Sequence, residues 1–196
     1  LAARGIIGNN RIEGGHSTTR DHVGIEVNNS IGTEIFDNTI NHMIDAGIRI
    51  TDSQSATVTG NVIGNISKEH TAPYHDFSAI VLENTNRSEV YGNDMENVSM
   101  GIHLLSFSSR NRIANNSVWN YQGGIFIRNG SDNNSAVNNT YEMGEIGIIP
   151  GYFSSNNSVS GDTVGNSSMA GVVLVSSKDI LVMNCLITES QDRAMV

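Results

Sequence analysis

Two motifs that recur in register, with a near-constant distance between copies, predict a right-handed parallel β-helix of about eight coils of roughly 23 residues each. The first motif is a small residue, an apolar residue, any residue, and an apolar residue. It reads Gly24-Ile25-Glu26-Val27, Gly47-Ile48-Arg49-Ile50, Ala79-Ile80-Val81-Leu82, Gly101-Ile102-His103-Leu104, Gly124-Ile125-Phe126-Ile127, Gly147-Ile148-Ile149-Pro150 and Gly171-Val172-Val173-Leu174, and Ala194 begins another copy. Successive starts differ by 23, 32, 22, 23, 23, 24 and 23 residues. The second motif, apolar-x-x-Asn-x-apolar, falls between the copies of the first and centres on Asn10, Asn38, Asn61, Asn93, Asn116, Asn139, Asp162 and Asn184.

Each element follows from its residues. Period-2 alternation over three to five residues makes short strands with one buried side, and the intervening Gly, Asn and Ser make tight turns. One coil cannot bury its own apolar row, so coils must stack at about 4.8 Å per rung and align Ile on Ile. The recurring Asn sits at a turn between two strands. There its side chain can accept from one neighbouring rung and donate to the other, which satisfies buried turn groups internally. Asp162 lacks the amide donor, so its rung is expected to be weaker or hydrated.

Composition fits an architecture in which polar residues are part of the repeat: 38% hydrophobic, with 20 Gly and 25 Asn in 196 residues. One domain spanning residues 1–196 accounts for the whole chain. The net charge of −9 repels nucleic acid and anionic membranes. No apolar run approaches a membrane span and no signal peptide is present. The start at Leu1 and the stop just as a new coil begins read as a piece of a longer solenoid. Open strand edges there would be capped by further domains or neighbouring chains. The single Cys185 excludes an internal disulfide. Ten Asn-x-Ser/Thr sequons, among them Asn28, Asn65, Asn86 and Asn115, hint at a glycosylated surface protein.

The pairing of Gly-Ile-x-Ile with Val-x-Gly-Asn-x-Ile resembles the parallel β-helix repeat of carbohydrate-binding and sugar-hydrolase domains, NosD-type periplasmic proteins, polysaccharide lyases and mannuronan epimerases. The resemblance covers essentially the whole chain and rests on interior and turn residues, so it implies fold more than activity. It implies a protein of the periplasm, the cell surface or the extracellular space, with a glycan partner. The Tyr-Gly-x-Asp-Pro-His signature of the epimerases is absent. Pro73-Tyr74-His75-Asp76 holds similar residue types in another order, and no family catalytic residue can be carried over.

Function is then sought where the repeat is broken. From each ladder position to the next small-residue start the gaps are 14, 9, 18, 8, 8, 8, 9 and 10 residues, so two coils near the amino end carry insertions. The inserted stretches run from Glu13 to His22 and from Lys68 to Phe77. Coil two, between them, adds His42 and Asp45 at the same turn. Five of the six histidines, His16, His22, His42, His70 and His75, fall in this region, and His103 is expected to point outward from the following strand. The groove floor would be Glu26, Arg49 and His103, with Phe126 as a sugar-stacking platform. By resemblance, this is the face on which β-helix lyases hold substrate.

Residue types suggest the chemistry. Abstracting the C5 proton of a uronic acid needs a cation on the carboxylate, a base, and an acid for the leaving oxygen. Arg20, Arg49 and Lys68 supply cations, and His75, His70 and Tyr74 supply proton-transfer groups. Substrate contacts fall to Arg20, Glu26, His42, His103 and Phe126. Hydrolysis would instead use two of Glu13, Asp21, Asp45, Glu69 and Asp76. No cofactor is required by these residues; as an alternative, His16, His22, His42, His70 or His75 with Asp21 or Asp76 could bind a divalent cation such as zinc or copper, although no zinc-type spacing occurs. The leading reading is a secreted or cell-surface β-helix that binds an acidic polysaccharide and, if it is an enzyme, acts on it as a lyase, C5-epimerase or glycoside hydrolase. A non-catalytic surface or adhesion solenoid is the first alternative and a NosD-like metal-handling protein the second.

Overall fold

A computed structural model describes residues 4–14, 22–66 and 77–195. The described chain is a parallel β-helix with three strand faces and no helix among its described residues. The first face consists of three-residue strands: Ile6–Gly8, Glu34–Phe36, Thr57–Thr59, Glu89–Tyr91, Arg112–Ala114, Ser135–Val137, Ser158–Ser160 and Leu181–Met183. The second follows each after a two-residue corner, from Arg11–Glu13 through Thr39–Asn41 and Val62–Gly64 to Leu186–Thr188. The third carries the Gly-Ile-x-Ile motif, from Val23–Asn28, Ala46–Thr51 and Ser78–Glu83 to Arg193–Met195. In coils four and five the second and third faces join into the single strands Asp94–Leu105 and Ser117–Arg128. Eight rungs enclose seven complete turns, one fewer than the eight coils counted from the motifs.

Registration is in step throughout. Ile7 pairs with Ile35, then Val58, Val90, Ile113, Ala136, Val159 and Val182 follow up the first face. On the third face Ile25, Ile48, Ile80, Ile102, Ile125, Ile148 and Val172 form the equivalent column. These columns meet in one continuous apolar interior. The small residue opening the third-face motif has a steric cause. A Cβ on Gly47 would lie 2.5 Å from Ile63 Cγ2 and 2.7 Å from the Ala79 carbonyl oxygen of the next rung. Gly47→Ala is therefore expected to destabilise by about 1–3 kcal/mol, and unchanged thermal unfolding would mean the rungs can separate freely there.

The Asn ladder runs from Asn10 to Asp162. Each Asn of the ladder donates its backbone N–H and its side-chain amide to the side-chain oxygen of the next member, as from Asn61 to Asn93 at 3.0 and 2.9 Å. From Asn38 onward the same amide also reaches a first-face carbonyl of the preceding coil, Ile35 in the case of Asn61, at 3.1 Å. The ladder's last step corrects the sequence register. Leu181 pairs with Ser158 and Val159 with Val182, so Asp162 is followed by Cys185 and not by Asn184. Asn184, with φ 53°, takes the left-handed corner position that Gly161 holds one rung earlier. Leu181 and Leu186, expected inside, are 49% and 58% exposed, while Val182, Cys185 and Ile187 pack on the core. The motif fits both frames because apolar residues occupy positions 181, 182, 186 and 187. The interior can seat only one frame.

Two further ladders were not anticipated. At the corner after the third face, the backbone N–H groups of Thr85, Ser108 and Ser131 donate to the hydroxyls of Ser108, Ser131 and Ser154. Just before the first face, Ser88, Asn111 and Asn134 donate to Asn111, Asn134 and Asn157. Their 23-residue spacing was visible, but Ser and Asn are so common here that it did not stand out. These corners also account for many sequons. Asn115, Asn133, Asn138 and Asn156 have positive φ, are followed by ladder Asn116, Asn134, Asn139 and Asn157, and then by the Ser or Thr that opens a strand.

Candidate functional site

Both insertions fall, in chain order, between a second-face and a third-face strand, on coils one and three. In coils four and five the corner between those faces is a single left-handed residue, Asn97 or Asn120, and the chain passes straight from face to face. On coil two His42 holds this position with φ 60°. Its Nδ1 lies 3.3 Å from Glu13 Oε2, and Glu13 also pairs with Arg11 at 3.0 Å. The His42 contact is the foremost cause of a Glu13 pKa below the usual carboxylate range; Arg11 acts in the same direction.

The outer row of the third face runs Glu26, Arg49, Val81, His103, Phe126 and Ile149, paired in sequence. Glu26 is exposed beside Arg49. Arg49 binds Asp45, four residues earlier, at 2.9 Å. The pair is close to neutral as a unit, which lessens the free positive charge the sequence reading gave Arg49. A uronate carboxylate would have to compete with Asp45 for the guanidinium.

His103 differs from expectation. It does lie on the outer side of its strand, yet it is fully buried, between Val81 and Phe126 in the row. Its ring stacks on Phe126 at 5.2 Å with 7° between planes. Burial, assisted by the Arg128 charge, pushes its pKa down to about 3, so the imidazole is neutral at physiological pH. Phe126 is half-buried, capped by the Arg128 guanidinium 5.3 Å from its centroid and meeting Tyr152 edge-on. As a stacking platform it is narrower than the sequence implied. Phe107 and Phe153 at the adjoining corner, missed in the sequence because they lie outside both motifs, are 69% and 60% exposed.

Arg20, Lys68, His70, Tyr74 and His75 lie outside the described residues, as does His16. Of the candidates, the structure places Glu26, Arg49, His42 and Asp45 on coils one and two, and His103 with Phe126 on coils four and five. It does not bring the two groups together.

A parallel solenoid with side-chain ladders at its corners defines the class of right-handed β-helix proteins. The chain belongs to the right-handed β-helix families: the model described as Right handed beta helix region matches residues 2–118, and that described as Periplasmic copper-binding protein (NosD) matches residues 64–196. By sequence alone, no curated protein matches it. Among solved structures it is similar to the periplasmic alginate epimerase AlgG, with a TM-score of 0.72 at 18% identity over 89% of this chain and 48% of the epimerase. It is similar also to an alginate lyase from Paenibacillus (TM-score 0.67, 12% identity, 94% and 69% coverage). A third is PfbA, a surface protein and adhesin of Streptococcus pneumoniae (0.55, 14%, 97% and 48%). The chain spans about half the length of the epimerase, and at these identities the likeness is one of fold.

Copper was tested against the side chains present. Among the described residues no three His, Cys, Asp or Glu come together as a metal site. Within the span matched by the copper-binding family, the one described histidine is the buried, stacked His103. The described residues therefore do not fit a copper centre, and no step is derived through one.

Proposed function

We propose that this β-helix binds an acidic polysaccharide along the third face at its amino end and acts on it as a lyase or C5-epimerase, in the periplasm or at the cell surface. The observation that carries this reading is the place of both insertions in chain order, between a second-face and a third-face strand, on the coils flanking the one that presents Arg49, Asp45 and His42. The fold likeness to an alginate epimerase and an alginate lyase supports the substrate class, and the family's periplasmic description supports the compartment.

In this reading Arg49, with Arg20 and Lys68 from the insertions, neutralises the uronate carboxylate and so acidifies C5–H. His75, His70 or Tyr74 takes that proton. For elimination, the C5 electron pair forms the C4=C5 double bond, the C4–O bond breaks, and an acid protonates the departing oxygen. For epimerisation the proton returns to C5 from the opposite side. Glu26 and His42 would contact sugar hydroxyls beside the cations.

Mannuronate oligomers should bind, and Arg49→Ala should weaken them about ten- to hundredfold, as loss of a charge-assisted hydrogen bond does. Arg128→Ala, on coil five, should cost less. Asp45→Asn should tighten binding by releasing Arg49, so a loss of affinity there would assign the pair a structural role. His75→Ala should remove most turnover, read by the absorbance of the new double bond or by C5 inversion, with affinity near that of the parent. A blank glycan array together with no turnover would favour the adhesion-type solenoid, a reading to which the exposed Phe107 and Phe153 lend support.

A further inference from the structure

The second face carries a further feature. On coils two to five its outer side holds a depression of about 450 Å3 lined by Asn41, Val62, Gly64, Asp94, Glu96 and Trp119. Strand pairing sets these side by side: Val62 on Asp94, Gly64 on Glu96, and Glu96 on Trp119. Gly64 makes the notch, since a Cβ there would lie 2.8 Å from Asn41 Oδ1. Trp119 is 41% and Val62 50% exposed, on the rungs either side of the strand that presents Asp94 and Glu96. Asn97 at the corner donates to Glu96 Oε1 at 3.3 Å and to Asn65 Oδ1 at 3.4 Å, which orients that carboxylate. Among the described residues, the charged side chains lining the depression are Asp94 and Glu96.

We propose that this depression is a subsite for sugars bearing a protonated amine, as in a glucosamine polymer. The exposed indole offers a flat apolar surface to the C–H face of a pyranose. An ammonium group gains from the two carboxylates through charge-assisted hydrogen bonds and from the indole through cation–π attraction. An acidic glycan meets the two negative charges of Asp94 and Glu96. The overall charge of −9 adds long-range attraction for a cationic polymer. The site is separate from the third-face groove and does not rest on the reading given for it.

Trp119 is the chain's single tryptophan, so intrinsic fluorescence reads the site directly. Titrating the intact protein at pH 6 with glucosamine hexamer should shift and quench the emission saturably. N-acetylglucosamine hexamer and mannuronate hexamer should bind at least tenfold more weakly at this tryptophan. Asp94→Asn with Glu96→Gln, both exposed positions, should lower glucosamine affinity at least tenfold without moving the thermal midpoint. Trp119→Ala, followed by calorimetry, should do likewise, whereas Arg49→Ala should leave it unchanged. The proposal is overturned by an emission spectrum that does not respond to glucosamine hexamer, by equal affinity for the acetylated or acidic oligomer, or by wild-type affinity in the folded double variant.

Discussion

Asn116→Leu is expected to destabilise the solenoid by about 3 kcal/mol or more, because it breaks the ladder at mid-length. Asn116 Oδ1 accepts from the backbone N–H and side-chain amide of Asn93 at 3.1 and 2.9 Å. Its own backbone N–H and amide donate to Asn139 Oδ1, both at 3.0 Å, and the amide also reaches the Val90 carbonyl at 2.9 Å. Leucine removes the acceptor and that amide donor from a fully enclosed corner. The Asn93 N–H loses its acceptor, and each buried group left unsatisfied costs about 1–3 kcal/mol. The hydrophobic gain of the leucine does not offset this, since the corner is packed around a hydrogen-bonding side chain. Thermal and denaturant unfolding read the effect, and a shift below about 1 kcal/mol would mean that water reaches the ladder.

The opposite sign is expected for Asp162→Asn once the pH exceeds about 4. Burial pushes the Asp162 carboxyl up from 3.8 to about 6, against the lowering influence of the Asn139 backbone and side-chain amides. A carboxyl with a raised folded-state pKa contributes its full stability below pH 3.8 and loses it as pH climbs through 6. The shift corresponds to about 3 kcal/mol once the group is ionised. Asparagine carries no such dependence. By the register of the other members, its amide also reaches toward the Ala136 carbonyl. The variant's unfolding midpoint should therefore match the parent's below about pH 4, exceed it progressively as the pH rises to about 6, and hold a constant advantage above about pH 7. A difference independent of pH would show that the carboxyl is hydrated in the folded protein.

Much of this molecule was legible because a solenoid writes its contacts into a single period. A residue's neighbours above and below are the residues one coil away, so Ile35, Val58 and Val90 name each other. The Asn at the second-face corner announces itself by recurring against an apolar background. Legibility failed where two frames were equally apolar, as at Leu181 to Leu186. It failed also where the repeating residue was as common as its surroundings, as with Ser108, Ser131 and Ser154. The candidate site was harder still. Insertions show in the spacing, but a partner four residues away that neutralises Arg49 does not.

The sequence by itself determined the fold, the three strand faces, the corner that bears the insertions and the ladder from Asn10 to Asp162, because each follows from periodicity alone. Only the tertiary structure decided that Cys185 ends that ladder, that His103 is a neutral, stacked ring and not an open ligand, and that Trp119 shares a trough with Asp94 and Glu96. Those outcomes depend on which side chain leans over which rung and on how much water it excludes. Alternation tells which side of a strand a residue occupies, whereas burial and charge pairing depend on everything packed against that side.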